Sequence, residues 1–240
     1  MPGFFVMIDG LDGSGKGTAL DALKEWTENI LKKKVLDLRI YWKEHNTYPE
    51  SIEQYDVIIS AEPTYLGIGK KIREEMIVKN QKKYSPEQIA EAFAADRDFL
   101  YKEVIIPALK KGKWIFQERG IVTSIVYQPL QGITLEKVKS LPGNKQALNN
   151  APNVLIVTKI RPEATMQRLA ERTKQDNAMF ENLEFQKKLE GIYESAWLKE
   201  LFEQHGSEVV YLDTNPPLRA GDTKRKIIEI VEERLSTLQK

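Results

Sequence analysis

Gly10-Leu11-Asp12-Gly13-Ser14-Gly15-Lys16-Gly17-Thr18 follows directly on Phe4-Phe5-Val6-Met7-Ile8. An apolar run, a glycine-rich turn, a lysine and a helix-competent segment, in that order, read as a strand, a phosphate-binding loop and a helix. The glycines let backbone N–H groups converge on a phosphate. The helix N-terminus adds partial positive charge, and Lys16 reaches toward β- and γ-phosphates. A flexible Gly/Ser loop is the alternative. It leaves unexplained a lysine at a helix start, where the macrodipole disfavours it. The expected phosphate contacts are Gly10, Gly13, Ser14, Gly15, Lys16, Gly17 and Thr18. Gly17 stands where this motif usually carries a Ser or Thr for magnesium. Thr18 therefore serves the metal, or the metal is held through water.

The chain has 240 residues and a formal net charge of +1. That length suits one large α/β domain over 1–240, with two small domains as the alternative. The balanced charge gives no electrostatic case for nucleic acid or a membrane surface. Lys32-Lys33-Lys34 and Lys110-Lys111 read as solvated helix ends. Cysteine is absent, which excludes disulfides and cysteine-based metal or redox chemistry. It also fits a reducing cytoplasm, the expected location. No apolar run approaches a membrane span, and no signal peptide is visible. With His45 and His205 as the only histidines, a histidine metal site or catalytic triad has little support.

Five short apolar runs predict strands: Gly3–Ile8, Val57–Ser60, Trp114–Phe116, Val154–Val157 and Val209–Leu212. Helix-period segments lie between them, so the expected fold is a parallel sheet covered on both faces. The first helix is expected over Thr18–Leu31, with Leu20, Leu23, Trp26, Thr27 and Ile30 facing inward. Val35–Trp42 is a further possible strand, and Lys43–Gln54 reads as an exposed loop or small insertion. Ser85-Pro86-Glu87-Gln88 is a helix start, with an N-cap and Pro at the first position. That helix runs to about Leu109, with a break near Pro107. Gln131–Pro152 reads as a loop with at most one short helix. Helices are also expected over Pro162–Thr173, Phe180–Phe202 and Thr223–Leu238, with a polar patch at Lys174–Ala178.

Open parallel sheets bind ligands at the C-terminal ends of their strands. Several polar segments fall there: Ser60-Ala61-Glu62-Pro63-Thr64, Phe93-Ala94-Ala95-Asp96-Arg97, Glu118-Arg119-Gly120 with Thr123–Gln128, and Arg168 to Glu181. The chain resembles thymidylate kinases in these pieces. They read FFVMIDGLDGSGKGT, SAEPT, FAADR, ERGIVTSIVYQ, RLAERTKQDNAMFE and DTNPP, in the family's order and over nearly the whole sequence.

The resemblance implies a P-loop NTPase fold with a five-stranded parallel sheet. It also implies transfer of the γ-phosphoryl group of ATP to dTMP with Mg2+, in a homodimer. Phe93 and Arg97 are four apart and share a helix face, and an aromatic ring beside a guanidinium suits a flat base. In the family this pair holds thymine; the alternative is a core Phe and a surface Arg. Ser124, Tyr127 and Gln128 share another face. Tyr127 would pack under the sugar and reject a 2′-hydroxyl, unless it is ordinary core. By resemblance Arg119 and Arg73 hold the acceptor phosphate, Asp12 and Glu62 lie near the acceptor, and Glu118 orders magnesium-bound water. Arg168 and Arg172 would close as a lid spanning about 168–181 and stabilise the transferring group. A solvated basic face is the alternative for those two.

Three departures stand out. Ala61 occupies a place where many members have Arg, Glu118 replaces the usual Asp, and Lys43–Gln54 is longer than usual. Two rival functions fit less of the pattern. A deoxynucleoside kinase would use Glu62 as general base beside Glu118-Arg119. A nucleotide-binding regulatory protein would have lost turnover, although Lys16, Arg119, Arg168 and Arg172 are all present.

Overall fold

The strand that leads into the glycine-rich loop is the sheet's pivot. A computed structural model describes residues 3–78, 82–171 and 182–238. In it β1 (Phe4–Gly10) runs into the loop and α1 (Lys16–Asn29). There follow β2 (Val35–Asp37), α2 (Leu38–His45), β3 (Val57–Ala61) and α3 (Gly67–Lys71). α4 (Pro86–Leu100), a π-helical turn at Tyr101–Ile105 and α5 (Ile106–Lys110) lead to β4 (Trp114–Glu118). α6 (Ile121–Tyr127), α7 (Leu135–Ser140) and α8 (Pro142–Asn149) precede β5 (Val154–Lys159). The rest comprises α9 (Pro162–Ala170), α10 (Leu183–Tyr193), α11 (Ala196–Gln204), β6 (Glu208–Asp213) and α12 (Ala220–Leu238).

All strand pairs are parallel, in the order β2-β3-β4-β1-β5-β6. The chain leaves β1 toward one side of the sheet and crosses to the other side after β4. The crevice at the carboxyl end of β1 is therefore where such a sheet offers a binding site. Side chains alternate between faces, as strand geometry requires. Phe5 and Met7 join the core that includes α4 and α6, whereas Phe4, Val6 and Ile8 pack with α1 and α12. Both faces are thus covered.

Several boundaries differ from the sequence-based expectation. The described sheet has six strands rather than five, because Val35–Asp37 pairs with Val57–Ile59. The strand ends there because the Asp37 carboxylate accepts from the Arg39 backbone N–H and caps α2. α2 thus takes up most of Val35–Trp42 and the start of the expected loop, burying Leu38 and Trp42 one turn apart. Ile30 is 69 % exposed rather than inward-facing, because α1 ends just before it.

Gln131–Pro152 holds two helices, each with an entry signal. Thr134 caps α7, and Pro142 opens α8. Gly143 looked like a loop residue, but its role is close packing: a Cβ there would lie 1.9 Å from the Ala94 carbonyl oxygen of α4. The expected break at Pro107 is displaced to the π-helical turn before it. The long helix expected over Phe180–Phe202 is two, because the Ser195 hydroxyl accepts from the Leu198 N–H and starts α11. The patch at Lys174–Ala178 lies outside the described residues.

Candidate active site

A cleft of about 1410 Å³ opens along the carboxyl ends of β1, β3 and β4. Pockets for one small ligand are roughly 300–1,000 Å³, so this one has room for two substrates.

One half is built on the glycine loop. Gly15 has φ 88°, a left-handed conformation that glycine adopts without strain, and it directs the chain into α1. The Lys16 ammonium donates to the carbonyls of Gly10 at 3.1 Å and Leu11 at 2.5 Å. Burial holds its pKa down to about 8, with Arg119 nearby adding to the effect. Gly13, Gly15, Lys16, Gly17 and Thr18 line the cleft, whereas Gly10 and Ser14 lie behind its wall. The Ser14 hydroxyl faces Thr158 at 2.6 Å. Thr214, in the DTNPP segment, donates its hydroxyl to the Ser14 and Lys159 carbonyls, each at 3.0 Å. The loop is therefore fastened to β5 and to the segment after β6 before any ligand arrives. Arg168 lines the same half and donates to the carbonyls of Gly13 (3.3 Å) and Thr214 (2.7 Å). Arg172, with the remainder of the expected lid at 172–181, lies outside the described residues.

The two halves meet at Arg119. It has φ 63°, and its guanidinium is ion-paired with Asp12 of the glycine loop. Burial opposes its charge, but Asp12, Tyr127 and Asp9 more than offset this and hold its pKa well above the ordinary value. The Tyr127 hydroxyl reaches Asp12 at 3.4 Å. Sequence reasoning missed Asp9, which lies fully buried behind this pair. It accepts from the Thr123 backbone and hydroxyl and from the Tyr193 hydroxyl at 2.9 Å. Its signal was available: an Asp closing the apolar run Phe4–Ile8.

The other half is lined by Glu62, Pro63, Tyr65, Arg73, Ile89, Phe93, Ser124 and Gln128. Arg73 donates its Nε to the Pro63 carbonyl at 2.7 Å and stacks on the Tyr65 ring at 3.9 Å. Asp96, also missed, accepts from the Thr64 N–H at 2.7 Å and hydroxyl at 2.6 Å, fixing the turn after β3. Arg97 does not reach the wall. It is 0 % exposed, pairs with Glu62 at 2.7 Å, and donates to Ser124 at 3.1 Å and to Asn144 of α8. It thus sits behind Glu62 and Ser124, which do face the cleft. Burial raises the Glu62 pKa to about 7, against the opposite pull of Arg97.

The family model for thymidylate kinase matches residues 46–227; the glycine loop precedes that stretch. A thymidylate kinase of Thermoanaerobacter pseudethanolicus is 30 % identical over 190 residues, which cover 79 % of this chain and 81 % of that one. One from an Exiguobacterium species is 27 % identical over 238 residues, covering 98 % and 97 %. A probable thymidylate kinase of Pyrococcus abyssi is 36 % identical over 140 residues, so this match spans 57 % of that relative's length. Among solved structures, a thymidylate kinase from Candida albicans shares the fold. Its TM-score is 0.65 at 18 % identity, covering 97 % of this chain and 92 % of that one.

Proposed function

The chain belongs to the thymidylate kinase family, and from that premise we propose that it transfers the γ-phosphoryl group of ATP to dTMP, giving dTDP. The Arg119–Asp12 pair carries this reading. It joins the end of β4 to the glycine loop within the cleft that Lys16 and Phe93 both line. A donor on the loop and an acceptor beyond Arg119 would then lie end to end.

In this reading Lys16 and the α1 N-terminus neutralise the donor phosphates. Arg119 and Arg73 hold the acceptor phosphate, and Asp12 keeps Arg119 oriented. Phe93 stacks on the base, Ser124 and Gln128 meet its edge, and Tyr127 packs under the sugar. Arg97 acts from behind by fixing Glu62 and Ser124. Arg168, which lines the glycine-loop half of the cleft, adds charge at the transferring group. A phosphate monoester is already ionised near neutral pH, so the residues contribute positioning and charge rather than proton transfer.

The residues fit Mg2+. A Cβ placed on Gly17 would lie 3.8 Å from Glu118 Oε2, so the place of the missing hydroxyl faces a carboxylate, and Thr18 lines the same cleft. Hard oxygen donors suit this ion, which keeps several waters. Thr18 and Glu118 would hold it, chiefly through water and together with the donor phosphates. Bound there, it supplies positive charge against the phosphoryl oxygens. Among the described residues no group of three His, Cys, Asp or Glu side chains forms a metal site.

We further propose a cytoplasmic homodimer. No described helix is long and apolar enough to cross a membrane, and the lack of cysteine suits a reducing compartment.

A nucleoside acceptor would need a free base. Glu62, the residue best placed by sequence for that task, is engaged by Arg97 and Gln117. The decisive test is a panel of thymidine, dTMP, dUMP and dCMP with ATP and Mg2+. Turnover of dTMP without thymidine supports the reading. Turnover of thymidine alone, or ATP binding with no transfer to any of the four, overturns it.

A further inference from the structure

Helix α2 brings to the cleft a cation that no motif announces. Lys43 lines the cleft wall, exposed to solvent. Its ammonium lies 4.1 Å from the centre of the Tyr65 ring, and the Arg73 guanidinium lies 3.9 Å from the same centre. Among the described residues Lys43 has no carboxylate partner, and only the Nε of Arg73 makes hydrogen bonds. Two cations therefore converge on one ring, with N–H groups still available. Trp42, the preceding residue, also lines the cleft, and among the described residues its buried indole N–H has no acceptor.

A ring face attracts an ammonium weakly at an exposed site, and a phosphate dianion attracts it more strongly. A site for a doubly charged group needs several cations held apart until it arrives. Tyr65 provides that spacing: it gives each cation a neutral, polarisable surface to rest on. A carboxylate in its place would hold the cations more tightly and compete with the ligand.

We propose that Lys43 is a binding residue for the acceptor's phosphate. Its ammonium rests on Tyr65 in the free protein and moves to the dianion beside Arg73 when a nucleoside monophosphate binds. The inference rests on the reading of the acceptor as a monophosphate. It also gives a function to the first residue of the Lys43–Gln54 segment, which lines the cleft.

The test is calorimetric titration of dTMP and of thymidine into the wild type, Lys43→Gln and Lys43→Arg, with steady-state KM values for dTMP and ATP. Lys43→Gln is expected to weaken dTMP binding about tenfold, in line with loss of one hydrogen bond to a charged group. Thymidine binding and the KM for ATP should stay within about twofold, since neither meets the lost charge. Lys43→Arg should restore most of the dTMP affinity. Unchanged dTMP affinity in Lys43→Gln, in a wild type that turns over dTMP, overturns the Lys43 assignment alone. Equal weakening of dTMP and thymidine also overturns it, because Lys43 would then act on the base or through the fold. A wild type that phosphorylates thymidine and not dTMP removes the premise as well.

Discussion

Glu62 and Arg97 form an ion pair at 2.7 Å with side chains 2 % and 0 % exposed. Desolvation works against both charges, and a buried pair is weak evidence for stability in itself. Its value here lies in what it positions. Arg97 ties Glu62 of the turn after β3 to Ser124 of α6 and Asn144 of α8. Three separate elements are thereby set at one distance around the acceptor half.

Burial of the Glu62 carboxyl, only partly offset by Arg97, makes stability depend on pH. Burial raises the Glu62 pKa from an ordinary 4.5 to about 7. Between those values the unfolded chain has released the proton and the folded chain keeps it, so raising the pH disfavours folding. The contribution is complete below pH 4.5 and lost as the pH passes about 7. Relative to Glu62→Gln, the wild-type Tm should fall by several degrees across that window. Parallel Tm curves for the two proteins would rule this out.

Lys16→Ala should abolish phosphoryl transfer while leaving the fold nearly intact. The ammonium meets loop carbonyls rather than apolar core. It supplies charge where the transition state needs it. A fall in kcat of about a thousandfold is expected, with an unaltered circular dichroism spectrum. A variant keeping more than about a tenth of wild-type turnover, a loss below ~1.4 kcal/mol, would falsify the assignment.

Tyr127→Ala should narrow the discrimination between dTMP and its ribonucleotide analogue. Tyr127 is 6 % exposed, lines the cleft and touches Asp12. A ring packed under the sugar leaves no room for a 2′-hydroxyl. Discrimination lives in the ratio of kcat/KM values, and that ratio should fall about tenfold. A constant ratio in a folded variant would make the tyrosine ordinary core.

Gly143→Ala should destabilise the protein by about 1–3 kcal/mol, as overpacking does. The new methyl would meet the Ala94 carbonyl oxygen, a backbone atom that cannot turn aside. Because Asn144 follows, α8 would also shift its grip on Arg97. Denaturant unfolding gives the stability, and the KM for dTMP should rise with it. An unchanged midpoint would show that α4 and α8 separate without cost.

How much of this could be read from the chain depended on whether a residue's role was local. The strand–loop–helix at Phe4–Thr18 follows from periodicity and glycine placement, and Ser85 to Gln88 forms the capping box its spacing suggests. Gly143 defeated the same reasoning, because glycine in a helix looks like a breaker until the partner helix is in place. The three-residue β2 was too short to show a period, and Asp37 had to be recognised as a cap. In the site, Lys16, Asp12, Arg119, Phe93 and Tyr127 all line one cleft. Arg97 is instead buried, as is Asp96 beside it, and both hold other side chains in place. A helical face gives the direction of a side chain but not the depth of the layer in which it ends.

The order of the strands also has a consequence for synthesis. β1 pairs with β4 and β5, so Phe4–Ile8 cannot be sheltered until Trp114 and then Val154 have left the ribosome. Until then a short, uncharged run of strong strand formers stands open, the kind of segment that associates with its own copies. Asp9 ends that run with a charge, as gatekeeper residues do. The same carboxylate that later gathers Thr123 and Tyr193 behind the cleft thus guards the nascent chain first.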